Sequence, residues 1–397
     1  MKVSIDKNLI NETLARSVDN IYPNRAALEK ELLSGRRLRI YLGVDPTGPH
    51  LHLGHATNFL TLQRFQKLGH EIILLIGDFT ARIGDPTDKL AARKPLSKKE
   101  IKQNLKTFKK QASKVISFGW PNGARLKFNS SWHDKMKFGE LIKLAQNFTV
   151  QQIIERDMFQ ERIKAGKPIG LHEFLYPLMQ GYDSVAMNVD IEVGGTDQTF
   201  NMLAGRTLLK NIKGKDKYVI TTKLLVDPIT NKKIMNKSEG GLVNLDDAPN
   251  DMFGKVMALS DSAIVPVAEF STNMPLKEVR ALAEEENPKD AKLRVAYEVV
   301  KTYHSQKDAE KSRENWIKTF SDKELPTNAE EIKPQKGTSV LLLVIKTGVE
   351  SKSEARRLIS QNAVKLDNAI KNNPDEILNL KGGEILKVGK HRFFKIV

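Results

Sequence analysis

LRIYLGVDPTGPHLHLGHATNFLTLQRFQKLGHEIILLI, residues 38–76, is the stretch on which the fold turns. It opens with LRIYLGV (38–44) and closes with EIILLI (71–76), two apolar, β-branched runs of strand length. Unbroken apolarity of this kind belongs to strands covered on both faces, as in a parallel sheet. Between the two runs, Ala56, Phe59, Leu60, Phe65 and Leu68 recur at helical spacing, and Gly69 stands where a left-handed cap residue belongs. Strand, glycine-bearing loop, helix, strand is a mononucleotide-binding unit, with ligands expected at the carboxyl ends of its strands. A second such turn follows at Asp190–Val193, Gly194-Gly195-Thr196-Asp197-Gln198 and a helix through Leu209. The expected fold class is therefore α/β, with a doubly wound, Rossmann-like parallel sheet.

Outside this region the pattern changes. Ser97 and Glu100 form a capping-box pair ahead of a stripe at Ile101, Leu105, Phe108, Ala112 and Val115 beneath a lysine-rich face. From about Pro249 onward the chain reads as helices punctuated by Pro266, Pro275 and Pro288. After Gly337 come two short helices, the second opened by Ser351 and Glu354, then a strand at Val364–Leu366 and a hairpin about Gly389-Lys390. The expected organisation is a catalytic domain over 1–245 with an insertion at about 130–185, an α-helical domain over 246–332, and a small α+β module over 337–397.

Composition narrows the function classes. Charged residues make up 28% and hydrophobic residues 40% of 397 residues, the balance of a globular chain. Cysteine is absent, which removes disulfides, thiol nucleophiles and cysteine-ligated zinc, and points to a cytoplasmic setting. The longest apolar runs, Ile72–Ile76 and Val340–Ile345, are too short for a bilayer, so no membrane partner is expected. A net charge of +16 asks for a polyanion. Lys89–Lys114 holds ten basic residues against Glu100 alone, and 337–397 holds eleven against six. Two separated basic patches suit a long ligand.

The chemistry-bearing motif is His52-Leu53-Gly54-His55, at the start of the helix after the first strand. Backbone N–H groups and the helix dipole favour a phosphate there, Gly54 lets a nucleotide approach, and two histidines can donate to phosphoryl oxygens as charge develops. Downstream, Lys232-Lys233-Ile234-Met235-Asn236-Lys237-Ser238, followed by Gly240-Gly241, reads as a hinged basic loop able to close over pyrophosphate.

With these residues in place the chain resembles the bacterial tyrosyl-tRNA synthetases, class I enzymes marked by H-I-G-H and K-M-S-K-S signatures. The resemblance runs through Tyr41-Leu42-Gly43-Val44-Asp45-Pro46-Thr47, His52–His55, Ile83-Gly84-Asp85-Pro86, Tyr176–Asp183, Gly194–Gln198 and Lys237-Ser238. It implies that Tyr41 and Asp183 bond the substrate phenol, that Asp85, Tyr176 and Gln180 hold its ammonium group, and that Gln198 lies near its carboxylate. It further implies that Gly43, Asp45, Thr47, His52, Gly54, His55, Asp197, Lys237 and Ser238 serve ATP, with His52, His55 and Lys237 catalytic. Lys89 and Arg93 resemble the family's pyrophosphate-side cations. The K-M-S-K-S match departs from the pattern, with Ile234 at the first lysine position and Asn236 at a serine position.

Residues 337–397 resemble an S-four-like RNA-binding module, with Lys352, Arg356 and Arg357 as phosphate contacts. The implied reaction joins L-tyrosine to tRNA(Tyr) through tyrosyl-adenylate. ATP is its substrate, Mg²⁺ arrives with ATP without a dedicated protein metal site, and the protein works as a homodimer. Three rivals are a tryptophan-tRNA ligase, another adenylate-forming nucleotidyltransferase, and a catalytically silent RNA-binding paralogue. The pairing of Tyr41 with Asp183 favours a phenol over an indole.

Overall fold

The computed structural model describes residues 2–87, 96–235, 241–285, 287–320, 330–335, 337–349, 351–367, 369–389 and 392–397. By packing, the chain forms two compact units, Met1–Asp247 with Leu259–Ala291, and Ala248–Ala258 with Lys292–Val397.

The first unit is built on strands β1 (Val18–Tyr22), β2 (Arg39–Val44), β3 (Glu71–Ile76), β4 (Arg125–Phe128), β5 (Ile191–Gly195) and β6 (Tyr218–Thr222), in the order β1-β6-β5-β2-β3-β4. All neighbours are parallel except β1 on β6. β2 and β3 pair along their whole length, Arg39 with Glu71 through Val44 with Ile76. From β2 the order runs outward one way through β3 and β4, and from β5 the other way through β6. The sheet thus reverses between β2 and β5, the place where a doubly wound sheet opens a crevice at its carboxyl edge.

Sequence and register explain each piece. Ile72–Ile76 are all buried, as expected of a central strand. The helix Leu53–Lys67 that joins β2 to β3 buries Ala56, Phe59, Leu60 and Phe65, each fully buried large side chain stabilising by about 1.5–3 kcal/mol. Gly69 ends it at φ +94°, and a Cβ there would meet the Lys2 carbonyl at 2.9 Å. The second turn leads from β5 into a helix over Thr199–Lys213.

The stripe from Ile101 to Val115 is not one helix. It divides into Lys98–Asn104, a single 3-10 turn over Leu105–Thr107 and Phe108–Ala112, with Ile101, Phe108, Ala112 and Val115 still buried and Lys102, Lys106, Lys109 and Lys110 exposed. Ser97 and Glu100 close the predicted capping box, Ser97 N donating to Glu100 Oε2 at 2.8 Å.

The sequence pattern places the first boundary at 245. By packing, residues 259–291 belong with the first unit, because the helix Ile264–Ser271 ends in carbonyls that Arg16 caps: Nε donates to Glu269 O and Nη2 to Thr272 O. The insertion is a run of short helices, Ser130–His133, Phe138–Ala145, Val150–Ile154 and Asp157–Lys164, leading into Tyr176–Met187.

The second unit contains Pro249–Met257, most of Pro288–Tyr303, Gln306–Phe320, and a small sheet of β7 (Glu330–Ile332), β8 (Val364–Leu366), β9 (Ala369–Ile370), β10 (Ile385–Val388) and β11 (Arg392–Ile396) in the order β7-β11-β10-β8-β9. Helices Val340–Lys346 and Lys352–Ser360 lie where two short helices are expected, and the β10–β11 hairpin turns at Gly389, φ +70°. Leu343, Val344, Ala355, Ile359, Val364, Leu386 and Phe394 share a separate buried cluster.

Candidate active site

A cavity of about 760 Å³ opens at the carboxyl ends of β2, β3 and β5, in the first unit. Its wall includes Gly43, Asp45, Thr47, His52, Gly54, His55, Asp85, Tyr176, Gln180, Asp183, Asp197 and Gln198, residues 155 positions apart in sequence at the extremes.

At the mouth of the helix Leu53–Lys67, the histidines cap the backbone. His52 Nδ1 accepts from Gly54 N and His55 Nδ1 accepts from His52 N, both at 3.2 Å, with the ring centroids 4.0 Å apart. A neutral imidazole that accepts at Nδ1 carries its proton at Nε2. Both rings are therefore set as Nε2–H donors by the turn itself. Residues 243–245 run alongside, Leu53 N donating to Val243 O and Leu245 N to Leu51 O.

Asp45 links three segments. Its Oδ1 accepts from Thr80 Oγ1 at 2.7 Å and its Oδ2 from Tyr176 Oη at 2.8 Å. Gly77, just past β3, is obligatory here, since a Cβ would fall 1.8 Å from Asp45 Oδ1. Asp85 Oδ1 accepts from Thr87 N and Oγ1, and its Oδ2 accepts from Gln198 Nε2 at 2.7 Å. Gln198 Oε1 in turn accepts from Asn201 Nδ2 at 3.0 Å, so the amide is fixed at both ends.

Asp183 is 2% exposed, and its carboxylate accepts from Trp132 Nε1 and His133 Nε2 at 2.8 Å and from Asn129 Nδ2 at 3.2 Å. Burial raises its pKa, while His133, Trp132 and Asn129 pull it down. Tyr41 is fully buried and is not among the wall residues; its hydroxyl lies 3.0 Å from Ser184 Oγ. Burial foremost, then the charges of Glu192 and Asp183, hold its pKa well above the ordinary phenol range, so it stays a hydroxyl.

The basic loop has an ordered stem. Val226 bridges Lys233, Ile234 N donates to Leu225 O, and Asp227 ties the turn by accepting from Ile229 N, Thr230 N, Ser260 Oγ and Ser262 Oγ. These four donors hold Asp227 well below the usual carboxylate range, the two serines contributing most. Ile234 thus serves the stem, while Lys233 reaches into the cavity and pairs with Asp197 at 3.2 Å.

Lys237 and Ser238, like Lys89 and Arg93, lie outside the described residues. Lys352, Arg356 and Arg357 stand on the exposed face of their helix, opposite buried Ala355 and Ile359, with Arg357 3.6 Å from Glu354.

Several members of the site escape sequence reasoning. Asn129, Trp132 and His133 reach Asp183 from the segment just after β4, and Thr80 and Gly77 frame Asp45. Gly77 alone carries a signal, its place just after the carboxyl end of β3. Among the described residues no group of three His, Cys, Asp or Glu side chains is gathered for a metal ion, and no helix is long and apolar enough to cross a membrane.

Residues 33–321 match the family model for class I tRNA synthetases of the tryptophan and tyrosine type. The tyrosine–tRNA ligase of Carboxydothermus hydrogenoformans is 41% identical over 97% of each chain, and that of Thermotoga maritima 38% over 96% of each. The fold is shared with a C-terminally truncated mitochondrial tyrosyl-tRNA synthetase of Aspergillus nidulans (TM-score 0.66, 24% identity, 78% of this chain and 94% of that one). It is shared also with the tyrosyl-tRNA synthetase of Archaeoglobus fulgidus solved with L-tyrosine (TM-score 0.60, 21% identity, 78% and 99%). A doubly wound sheet with a paired-histidine turn at its switch point defines a class I synthetase site. The chain belongs to that class and, within it, to the bacterial tyrosine–tRNA ligases.

Proposed function

We propose that this chain activates L-tyrosine with ATP and passes the tyrosyl group to the 3′ end of tRNA(Tyr), with the site residues in the roles their positions suit. The observation that carries the reading is a buried carboxylate, Asp183, on the wall of the same cavity that His52 and His55 line. A phenol hydroxyl would add a donor to this polar end beside Trp132, His133 and Asn129; a bare phenyl ring would forgo that bond to a charged group, worth about 1.5–3 kcal/mol.

In the first step a tyrosine carboxylate oxygen attacks the α-phosphorus of ATP, the new P–O bond replacing the bond to the β-phosphate oxygen, and pyrophosphate leaves. The nucleophile is ionised at neutral pH, so no general base is needed, and catalysis comes from alignment and charge stabilisation. His52 and His55 donate their Nε2–H groups to phosphoryl oxygens. Gly43, Thr47 and Gly54 admit the nucleotide, Asp45 fixes the floor beneath it, and Asp197 takes the ribose.

Tyr41 and Asp183 address the phenol. Asp85, Tyr176 and Gln180 address the ammonium group, and Gln198, bonded to Asp85, lies next to the substrate carboxylate. Lys237, Ser238, Lys89 and Arg93 attend the pyrophosphate, and Lys233 supplies the cation that Ile234 does not. Mg²⁺ enters with ATP, held by phosphate oxygens.

In the second step a terminal ribose hydroxyl of the tRNA attacks the acyl carbon and AMP departs. In the division expected from the sequence, at 245 and near 332–337, RNA contacts fall to the C-terminal module through Lys352, Arg356 and Arg357. A homodimer is supported by exposed Phe138, Ile142, Val150 and Leu171 on the insertion. The setting of this work is the cytoplasm.

ATP–pyrophosphate exchange measured separately with tyrosine, tryptophan and phenylalanine tests the reading. Tyrosine-dependent exchange is expected, and Asp183→Ala should abolish it while leaving the protein folded. Exchange with tryptophan in place of tyrosine would move the substrate; no exchange with any of the three would refute the activity.

A further inference from the structure

Behind the amino-acid side of the cavity lies a charged pair that the roles above leave unused. Helices Tyr176–Met187 and Thr199–Lys213 meet at Gly181 and Gly205, where a Cβ on Gly205 would fall 2.7 Å from Lys217 Nζ and 2.8 Å from Ser184 Oγ. Gly205 clears the space for the ammonium group, and Gly181 lets the two helices approach. Lys217 is 1% exposed; its Nζ forms a short ion pair with Glu192 Oε2 and donates to Ser184 Oγ at 2.6 Å. A buried ammonium is costly, and an apolar side chain would fill the space without that cost. Its neighbours show what it does.

Glu192 lies on the cavity wall and its other oxygen, Oε1, is 3.2 Å from the Gln180 side-chain nitrogen. A carboxylate only accepts, so the Gln180 amide must present its N–H to Glu192 and its carbonyl oxygen elsewhere. Ser184 Oγ accepts a hydrogen bond from Lys217 Nζ and has its own hydroxyl proton to give. It lies 3.0 Å from Tyr41 Oη and 3.4 Å from Glu192 Oε2, to which it donates. Lys217, Ser184 and Tyr41 therefore form one hydrogen-bonded series behind the pocket.

We propose that Lys217 and Glu192 are positioning residues of the amino-acid pocket. The ammonium pins Glu192, which holds Gln180 with its oxygen ready to accept from the substrate ammonium. Through Ser184 the same ammonium fixes the place of the Tyr41 hydroxyl. This rests on the tyrosine pocket assigned above.

The test is steady-state ATP–pyrophosphate exchange by the wild type, Glu192→Gln and Lys217→Met, with KM for tyrosine and for ATP taken separately. Inhibition by 3-(4-hydroxyphenyl)propionate, which is tyrosine without its ammonium group, is measured alongside. A glutamine at 192 can donate to Gln180 and let the amide turn over. Glu192→Gln should therefore raise KM for tyrosine about tenfold, with KM for ATP and the inhibitor constant changed by less than about twofold. Lys217→Met should raise KM for tyrosine and lower the preference for tyrosine over phenylalanine. An unchanged KM for tyrosine in folded Glu192→Gln, or equal weakening of tyrosine and the deaminated analogue, would overturn the proposal. A wild type without tyrosine-dependent exchange would instead overturn the pocket assignment itself, before any variant is compared.

Discussion

At the scale of single residues, the site is held by atoms whose room for error is small. Gly77→Ala would drive a methyl group to 1.8 Å from Asp45 Oδ1 and 2.4 Å from Thr80 Oγ1. The Asp45 carboxylate must then leave Thr80 and Tyr176. Exchange activity should fall by about a hundredfold or more, an effect expected when a site on rigid elements is misplaced by about 1 Å. Activity within a few-fold of wild type would show that Asp45 is not held as described.

His70 makes a different prediction. It is fully buried, its Nδ1 accepts from Leu38 N at 3.3 Å, and burial, with Arg37 beside it, lowers its pKa to about 4. An unfolded chain takes up this proton near pH 6.5 and the folded one does not until about pH 4. Its contribution is whole above pH 6.5 and is lost as the pH falls towards 4. Urea unfolding should show a stability lower by about 1 kcal/mol at pH 5.5 than at 7.5 from this residue, and His70→Gln should flatten that part of the profile.

At the scale of elements, legibility follows burial. β2 and β3 could be read because Ile40–Leu42 and Ile72–Ile76 are buried, and β3 lies where the apolar run predicts it. The lysine-faced stripe from Ile101 was legible as buried positions but not as a broken helix, since the 3-10 turn at Leu105–Thr107 leaves the apolar spacing intact. The Asp183 partners were not legible at all. Asn129, Trp132 and His133 precede Asp183 by some fifty positions and meet it only through the fold, with no local pattern to announce them. The helix Ile264–Ser271 likewise looks like its neighbours in sequence, and it is tied to the first unit by partners remote in sequence, Arg16 donating to its last carbonyls and Ser271 Oγ to Leu53 O. Gly181→Ala offers a check on close helix packing: its Cβ would meet Leu208 Cδ1 at 2.9 Å and Gly205 N at 3.1 Å. Overpacking should cost about 1–3 kcal/mol by urea denaturation, and a neutral result would mean the helices can part.

At the scale of the whole molecule, a net charge of +16 is explained by a polyanionic substrate more readily than by any small molecule. Lys352, Arg356 and Arg357 are exposed and remote in sequence from the cavity residues, so replacing all three by alanine should leave ATP–pyrophosphate exchange unchanged. Aminoacylation should weaken, and the dependence of tRNA binding on log salt should become shallower by about 0.7–0.9 for every phosphate no longer neutralised. Parallel salt plots for variant and wild type would show that these side chains do not meet the RNA.

The turn tied by Asp227 also makes the chain easy to watch. Ile229 at its tip is 82% exposed, a few residues ahead of Lys233, and the chain has no cysteine of its own. A thiol introduced at 229 would be the sole anchoring point for a fluorophore. Its signal, followed in a stopped-flow mixer as ATP is added, would report whether the Lys233–Asp197 pair moves when nucleotide arrives, separating that step from the chemistry that follows.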